Sequence, residues 1–336
     1  MYRFVLSRLA ALVPTLAGIS LLVFLMLYLV PGDPAQIMLG ERANAESLAE
    51  LRAAMGLDQP FHVQFYRFFT GLLQGDLGRS IRTHEKITTE LFQRFPATCE
   101  LTIASMFMAL IVGIAAGLWA AVRKGKLSDL LSMILATAGI SMPVFWLALM
   151  LMLLLAVYIP VFPVSGRLST HIYFEPVTYF YTLDALLQGN FRAFGDILWH
   201  LFLPALTLGT IPMAVIARMT RASLLEVLGE DYIRTAWAKG LSQRIVILRH
   251  AIKNAFIPTL TVIALQFGYL LGGAIITETI FAWPGIGRWL FLAVQARDFR
   301  AVQGGVLLLA TIFVLANLLA DLLYAWLDPR IRYGKK

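Results

Sequence analysis

The sequence predicts an all-α membrane protein whose chain crosses the bilayer six times. Of its 336 residues, 59% are hydrophobic and 14% are charged, and its mean hydropathy of +0.75 is far above that of a water-soluble domain. A helix needs about 20 apolar residues to cross a hydrocarbon core of about 30 Å. Stretches of this kind without Asp, Glu, Lys or Arg cover residues 9–30, 101–122, 130–162, 197–217, 255–277 and 301–320.

The first and third of these stretches need separate interpretation. The first follows Arg3 and Arg8, as a secretory signal would, but its apolar core is too long and no small-residue cleavage site precedes Pro31. We therefore expect it to remain as a membrane anchor. The third is longer than a bilayer requires at about 1.5 Å per residue. Pro143 should kink it, or its end should extend past the membrane surface.

The basic residues predict the orientation of the chain. Lys and Arg are in excess at the N-terminus, in 123–126, in 218–254 and in the C-terminal tail, whereas charges nearly cancel in the other connections. Basic segments stay on the cytoplasmic side, so both termini are expected there. The net charge of +8 then reflects topology and does not indicate nucleic-acid binding.

This topology divides the chain into four parts. They are an N-terminal transmembrane helix (1–30), an outside segment with short helices (31–96), a five-helix core that includes a cytoplasmic loop at 218–254 (97–327), and a cytoplasmic tail (328–336). In the second part the spacing predicts helices over 45–55, stopped by Gly56, and over 63–73. Residues 163–196 are rich in aromatic side chains, which is typical of an interfacial belt and also compatible with a docking surface above a pore.

Motifs for catalysis are absent. The phosphate-binding pattern GxxxxGK[ST] is approached at Gly125 and Lys126, but Ala120 and Leu127 break it. The five histidines show no zinc-binding spacing, and the nearest match to an intramembrane protease motif is PVSG, ending at Gly166. We expect no catalytic residue, cofactor or metal in this chain, so an enzyme is the weaker hypothesis.

Several polar and small residues lie at membrane depth. The polar ones are Glu100, His200, Gln266, Glu278, Asn317 and Asp321. Glu100 and Glu278 are close to predicted helix ends, where they are expected to reach water. Asn317 and Asp321 share one helix face, which suits an interhelical hydrogen bond. They are too few to predict a proton-relay ladder.

Glycines at small-xxx-small spacing predict close helix contacts. They are Gly113 and Gly117 in the second stretch and Gly268, Gly272 and Gly273 in the fifth. Such spacing lets two helix backbones approach each other. Packing within one bundle and packing against a second membrane subunit both fit.

A short soluble helix is predicted inside the cytoplasmic loop, in the run EDYIRTAWAKG. Asp231 is positioned to cap its start, Lys239 lies in its last turn, and Gly240 supplies a left-handed residue after its end. The predicted helix covers 232–239. Ser242 can then cap a second helix over 243–254 that leads to the fifth span.

One face of this short helix is partly aromatic and partly very small. It carries Tyr232, Ile233, Ala236, Trp237 and Gly240. Two turns are unstable in isolation, so this face should be buried, either in a groove of a cytoplasmic partner or against the chain's own bundle. In a groove, Ala236 and Gly240 would allow close approach while Tyr232 and Trp237 would supply buried area.

At this point the sequence resembles a known family. The run RTA, three residues and then Gly240, with a later Ile257-Pro258, is similar to the EAA loop of permease subunits of bacterial ABC importers. The peptide and nickel branch is similar almost end to end, through VPGDPA, GDLGRSI, MPVFW, ARMTRASLLEVLGEDYIRTA, RHAIKNAFIP, TETIFAWPGIGRWL and DLLYAWLDPRIR. Trp237 stands where that branch usually has Arg. The resemblance extends to B-type subunits of dipeptide importers.

The resemblance implies a type I importer permease fold in a bacterial inner membrane. It implies that the loop helix enters a cleft on an ATPase subunit, with Ala236 and Gly240 as matching positions and Asp231, Arg234 and Lys239 as flanking contacts. It further implies a second, different permease subunit, two ATPases that bind ATP and Mg, and a periplasmic peptide-binding protein. Longer peptides, nickel complexes and haem-like molecules are alternative cargoes. A channel or secondary carrier that works alone is the alternative of another class.

Overall fold

The computed structural model describes residues 2–29, 34–39 and 44–327, and within these ranges the regular structure is helical apart from one isolated bridge between Arg79 and Lys86. The helices are α1 (Tyr2–Leu29), α2 (Pro34–Leu39), α3 (Ala45–Met55), α4 (Phe61–Leu73), α5 (Ile87–Val122), α6 (Leu127–Ser141), α7 (Val144–Met152), α8 (Tyr181–Leu187), α9 (Phe191–Leu228), α10 (Asp231–Ala238), α11 (Gln243–Ile245), α12 (Ile252–Gly273), α13 (Ile275–Ile280), α14 (Ile286–Gln295) and α15 (Phe299–Leu327). π-helical turns extend α7 (Leu153–Tyr158) and join α11 to α12 (Val246–Ala251).

Four to five apolar spans are present among the described residues. The stretches Ile87–Val122, Phe191–Leu228, Gln243–Leu270 and Phe299–Leu318 are each long and apolar enough to cross a membrane. The α6–α7 pair is a fifth if it counts as one bent span. In α1, Ala10–Met26 forms a shorter apolar helix. The all-helical membrane architecture is confirmed, and the count of six remains a prediction.

The expected kink at Pro143 is confirmed. The α6–α7 pair is bent by 106° at this point. Met142 has left the helical region, with ψ of 130°, because a proline disfavours a helical conformation in the residue before it. Pro143 itself directly precedes α7.

The segment 44–96 contains helices close to the predicted ones. Helix α3 has the predicted bounds, and Gly56 ends it with a φ of +69°. Helix α4 starts at Phe61, two residues before the predicted start. Because α5 already begins at Ile87, the proposed division between residues 96 and 97 falls inside a helix. The predicted tail, 328–336, lies outside the described residues.

The core is organised around a close contact between α5 and α9. A Cβ built on Gly113 would lie 2.7 Å from the carbonyl oxygen of Met213, and one built on Gly117 would lie 2.5 Å from that of Ala217. From the other side, a Cβ on Gly209 would lie 2.7 Å from the Ser105 oxygen. Small-residue packing within one bundle is therefore confirmed for this pair of helices.

The second set of glycines gives a looser contact. A Cβ on Gly268 would lie 3.6 Å from Asn317 Oδ1, at an ordinary contact distance between α12 and α15. The surroundings of Gly272 and Gly273 and the side chain of Asp321 lie outside the described set, so the interhelical hydrogen bond expected from the Asn317 and Asp321 face stays a prediction.

The expectation that Glu100 and Glu278 reach water is wrong, since both are buried. Glu278 accepts hydrogen bonds from Thr98 Oγ1 (2.7 Å) and from the backbone N–H of Arg288 (2.9 Å). The connections 163–196 and 281–300 fold over the helix ends and cover these carboxylates. This cover forms the end of the bundle opposite to α10, which we call the capped end.

At the capped end, Glu100 pairs with a buried arginine. Arg167 donates to Glu100 and to the carbonyl oxygen of Tyr179 (2.9 Å), and its guanidinium lies 3.8 Å from the ring centre of Tyr181. Thr182 donates to Glu100 through both its N–H and its hydroxyl, each at 2.7 Å. The aromatic-rich connection is therefore folded onto α5.

We predict that Gly117→Ala destabilises the protein by about 1–3 kcal/mol, the usual cost of forcing extra atoms into a packed contact. Thermal unfolding of the purified protein in nanodiscs would measure it. Gly18→Ala is the matched control, because no atom lies within 4 Å of a Cβ built there. Equal melting temperatures for the two variants would contradict the proposed role of the α5–α9 contact.

Candidate functional site

The short loop helix exists as α10, Asp231–Ala238, one residue earlier than predicted at each end. The prediction that Asp231 caps its start is wrong. Glu230 occupies the capping position with an extended backbone and no side-chain hydrogen bond to the helix, and Asp231 is the first helical residue. At that position its carboxylate still lies at the positive end of the helix dipole.

The end of α10 follows the prediction more closely. Gly240 has a φ of +73°, and its N–H donates to the carbonyl oxygen of Trp237 (2.9 Å). Ser242 precedes α11 with an extended backbone but makes no capping hydrogen bond through its side chain. The second predicted helix, 243–254, is not separate, because α11, the π turn and α12 are contiguous.

One side of α10 packs against the chain's own bundle. Ile233 is fully buried and Ala236 is 6% exposed, and both belong to an apolar cluster with Leu224 of α9 and Val246. Ala236 thus contacts its own chain, and its expected role in letting a partner approach closely stays a prediction. Burial within the bundle accounts for this half of the helix face.

The other side of α10 is open. Tyr232 is 41% and Trp237 is 42% exposed, and no atom lies within 4 Å of a Cβ built on Gly240. The Tyr232 hydroxyl accepts a hydrogen bond from Asn254 Nδ2 (2.8 Å), which fixes the ring relative to α12. Exposed aromatic rings next to open space are typical of a surface that a partner covers.

Charged side chains surround this open side. Asp231 and Arg234 form an ion pair of 3.2 Å, with side chains 94% and 74% exposed, and Lys239 is exposed as well. Exposed pairs of this kind contribute little to stability, so both groups can exchange partners at low cost. We define the coupling surface as Asp231, Tyr232, Arg234, Trp237, Lys239 and Gly240.

A second ion pair supports the same end of the bundle. Arg221 of α9 donates two hydrogen bonds to Asp129, Nε–Oδ1 at 2.6 Å and the second at 2.8 Å. Asp129 also accepts from the N–H of Gly125 (3.0 Å). The pair ties the α5–α6 turn to α9. Sequence reasoning missed it, since it treated these residues only as topology signals, and their separation of 92 residues gives no local pattern.

The arrangement offers surfaces for binding and no obvious chemistry. Among the described residues, no group of three or more His, Cys, Asp or Glu side chains could hold a metal ion. Helix α10, which carries the coupling surface, lies between two long helices in the chain, since it follows α9 and leads through α11 and the π turn to α12. A force applied to α10 would therefore act on both α9 and α12.

Comparison with known proteins identifies the family. Residues 113–333 match the binding-protein-dependent transport system inner membrane component, and residues 1–102 match the N-terminal region of these membrane components. The chain belongs to this family of inner-membrane permeases. It is therefore a multi-pass inner-membrane subunit of an ABC transporter, and the resemblance seen in the sequence is confirmed.

Curated relatives of this permease align over its whole length. It is 50% identical over 339 residues to the dipeptide transport system permease protein of Escherichia coli strain K12, with all of both chains covered. It is 48% identical over 336 residues to the di/tripeptide transport system permease protein of Pseudomonas aeruginosa, again with full coverage. It is 43% identical over 333 residues to the glutathione transport system permease protein of Salmonella paratyphi A, covering 99% of this chain and 100% of the relative.

We predict that substitutions on the two sides of α10 affect different properties, the stability of the helix on the buried side and binding of the ATPase on the exposed side. Ile233→Ala should loosen the helix by about 2–5 kcal/mol, since a fully buried side chain is lost. Trp237→Ala should leave the helix in place and weaken recovery of the ATPase subunit. Hydrogen exchange of the 231–238 amides and co-purification of the ATPase would measure the two effects. Faster exchange in Trp237→Ala than in Ile233→Ala would contradict this assignment of faces.

Proposed function

We propose that this chain is the B-type permease subunit of an importer of dipeptides. The observation that carries the proposal is the full-length identity of 50% with a permease named for dipeptide transport, supported by 48% with one named for di- and tripeptides. Sequence identity at this level over the whole of both chains supports a shared architecture and a shared class of cargo.

The proposed topology has six spans with both termini in the cytoplasm. The distribution of Lys and Arg supports it, and so does the position of α10, which emerges between two membrane-length helices. In this orientation the coupling surface faces the cytoplasm and the capped end faces the periplasm. Lipid contacts the outward apolar side chains, which are numerous on α5 and α6.

ATPase and binding-protein partners are general to this family. We propose the specific assembly of one second, non-identical permease subunit, two cytoplasmic ATPases and one periplasmic peptide-binding protein. The ATPases bind ATP and Mg, and this chain binds neither. No role for nucleic acid is proposed.

In the proposed mechanism, α10 couples ATPase closure to the spans. The ATPase cleft covers Tyr232, Trp237 and Gly240, while Ile233 and Ala236 hold the helix to its own bundle. When nucleotide binding moves the cleft, the rigidly attached helix shifts α9 and α12 together. The spans then exchange between two arrangements, and nucleotide state biases the equilibrium between them.

Two alternatives remain for comparison. The relative named for glutathione, at 43% identity, supports the view that one permease architecture serves several peptide-like cargoes, so longer peptides, nickel or haem complexes are the alternative substrates. A channel or secondary carrier acting alone is the alternative mechanism, and the exposed aromatic residues of the coupling surface speak against it.

Reconstitution in proteoliposomes would test the cargo and the mechanism together. We expect ATP-dependent uptake of labelled Ala-Ala when the second permease, the ATPases and the binding protein are all present. Unlabelled dipeptides should compete, while glutathione and nickel should not. Uptake by this chain alone would contradict the importer mechanism, and uptake of glutathione in preference to Ala-Ala would contradict the cargo.

We predict that Gly240→Leu abolishes peptide-stimulated ATP hydrolysis while membrane insertion is kept. The leucine would occupy the open space that the ATPase is proposed to fill. Gly189→Leu is the matched control, because Gly189 also has a positive φ (+66°) and open surroundings but lies between α8 and α9 at the capped end. Both variants carry the same backbone strain, about 1–2 kcal/mol. Equal ATPase activity in the two variants would exclude close contact at Gly240.

A further inference from the structure

A small cavity opens at the capped end, away from the coupling surface. Its volume is about 220 Å³, and its walls come from the 79–86 connection, the first turns of α5, helix α14 and the start of α15. Its polar lining residues are Ser80, Arg82, Thr83, Glu90, Arg94, Arg288 and Asp298. Neither the coupling mechanism nor the family assignment uses this cavity.

The two carboxylates in the wall are already satisfied. Asp298 is 1% exposed and accepts hydrogen bonds from the Ser80 hydroxyl (2.5 Å) and from the N–H groups of Ile81 (2.8 Å) and Ala301 (3.1 Å). Glu90 is paired with Arg94 at 3.3 Å and accepts from Trp289 Nε1 at 3.2 Å. These acids hold the walls in place, and their hydrogen-bonding capacity is largely used within the wall.

Two of the three arginines have no acidic partner. No described carboxylate forms an ion pair with Arg82 or Arg288, and the Arg288 side chain donates to the carbonyl oxygen of Ala282 (3.0 Å). The lining holds three arginines against two carboxylates, and this excess of positive charge favours the entry of an anion.

The shape and lining of the cavity select the kind of anion. Guanidinium groups bind carboxylates through two parallel N–H bonds. The remaining wall is apolar and includes Leu292, Ala293 and the Trp289 ring, which suits the methylene or methyl groups next to a carboxylate. A volume of about 220 Å³ is below the roughly 300–1,000 Å³ of pockets for larger ligands.

We propose that this cavity binds a carboxylate on a short aliphatic stem through Arg82 and Arg288. The carboxylate has two possible sources, the C-terminus of a free peptide and an acidic side chain of the periplasmic binding protein. The second source rests on the proposed function, whereas the first can be tested with this chain alone.

The first arm of the test uses the full chain in nanodiscs without partners. Ala-Ala and its C-terminal amide are titrated into wild type, Arg82→Gln, Arg288→Gln and Arg288→Lys. A free-peptide source predicts binding of Ala-Ala but not of the amide, with a Kd raised about tenfold by each Gln variant, which is about 1.4 kcal/mol. Arg288→Lys should lie between wild type and Gln, because it keeps the charge and loses the planar fork.

The second arm measures the affinity of peptide-loaded binding protein for the complete transporter. An acidic side-chain source predicts a tenfold loss in Arg82→Gln and in Arg288→Gln, with no binding of Ala-Ala in the first arm. Arg192→Gln is the control in both arms, because Arg192 is exposed at the same end of the bundle and lies outside the cavity lining. It should change each Kd by less than twofold.

Either pattern supports the carboxylate site and identifies its source. The proposal is overturned if Arg82→Gln and Arg288→Gln behave like Arg192→Gln in both arms. Arg82 is exposed and makes no side-chain hydrogen bond among the described contacts, so its substitution tests the site without disturbing the fold. If wild-type transporter recruits no binding protein, the proposed assembly fails while the first arm still decides the cavity.

Discussion

The structure depends on the backbone contact between α5 and α9. At Gly113, Gly117 and Gly209 one helix lies so close to the other that a Cβ would approach a carbonyl oxygen to between 2.5 and 2.7 Å. Lipid supplies no hydrophobic force between apolar helices, so dispersion contacts of this kind must hold them together. Helices of 36 and 38 residues thereby form a rigid pair, and the functional surfaces lie at its two ends.

The two ends of the bundle differ in whether their polar side chains are buried or exposed. At the capped end, two buried carboxylates have partners: Glu278 accepts from Thr98 and Glu100 pairs with Arg167. A buried carboxylate without partners would cost several kcal/mol, so these contacts hold the covering segments in one arrangement. At the other end α10 leaves its aromatic and charged side chains open to solvent. A fixed cap and an open surface suit a chain whose moving force comes from a partner.

The sequence predicted most of the helices and only part of the site. The spacing of apolar residues and the residues that start or stop helices predicted α3, α10, the break at Pro143 and the left-handed Gly240. Local sequence determines these features. Burial of Glu100 and Glu278 could not be predicted, since it depends on contacts with residues 67 and 180 positions away in the sequence, Arg167 for Glu100 and Thr98 for Glu278. Composition alone also could not separate the two sides of α10, as Tyr232 and Ile233 are adjacent in sequence and only the packing shows that Ile233 is buried while Tyr232 is exposed.

The sequence left open whether α10 packs against a partner or against its own bundle, and the structure buries one side of α10 in the bundle while the other side stays exposed. A helix held only by a partner would transmit force poorly, because a two-turn helix has too little stability of its own to resist bending. A helix buried completely in its own bundle would leave no exposed surface for a partner to bind. With Ile233 and Ala236 buried in the cluster that contains Leu224, and with Tyr232 and Trp237 exposed, α10 is attached on one side and accessible on the other. A displacement of α10 must therefore either move α9 with it or break that apolar cluster.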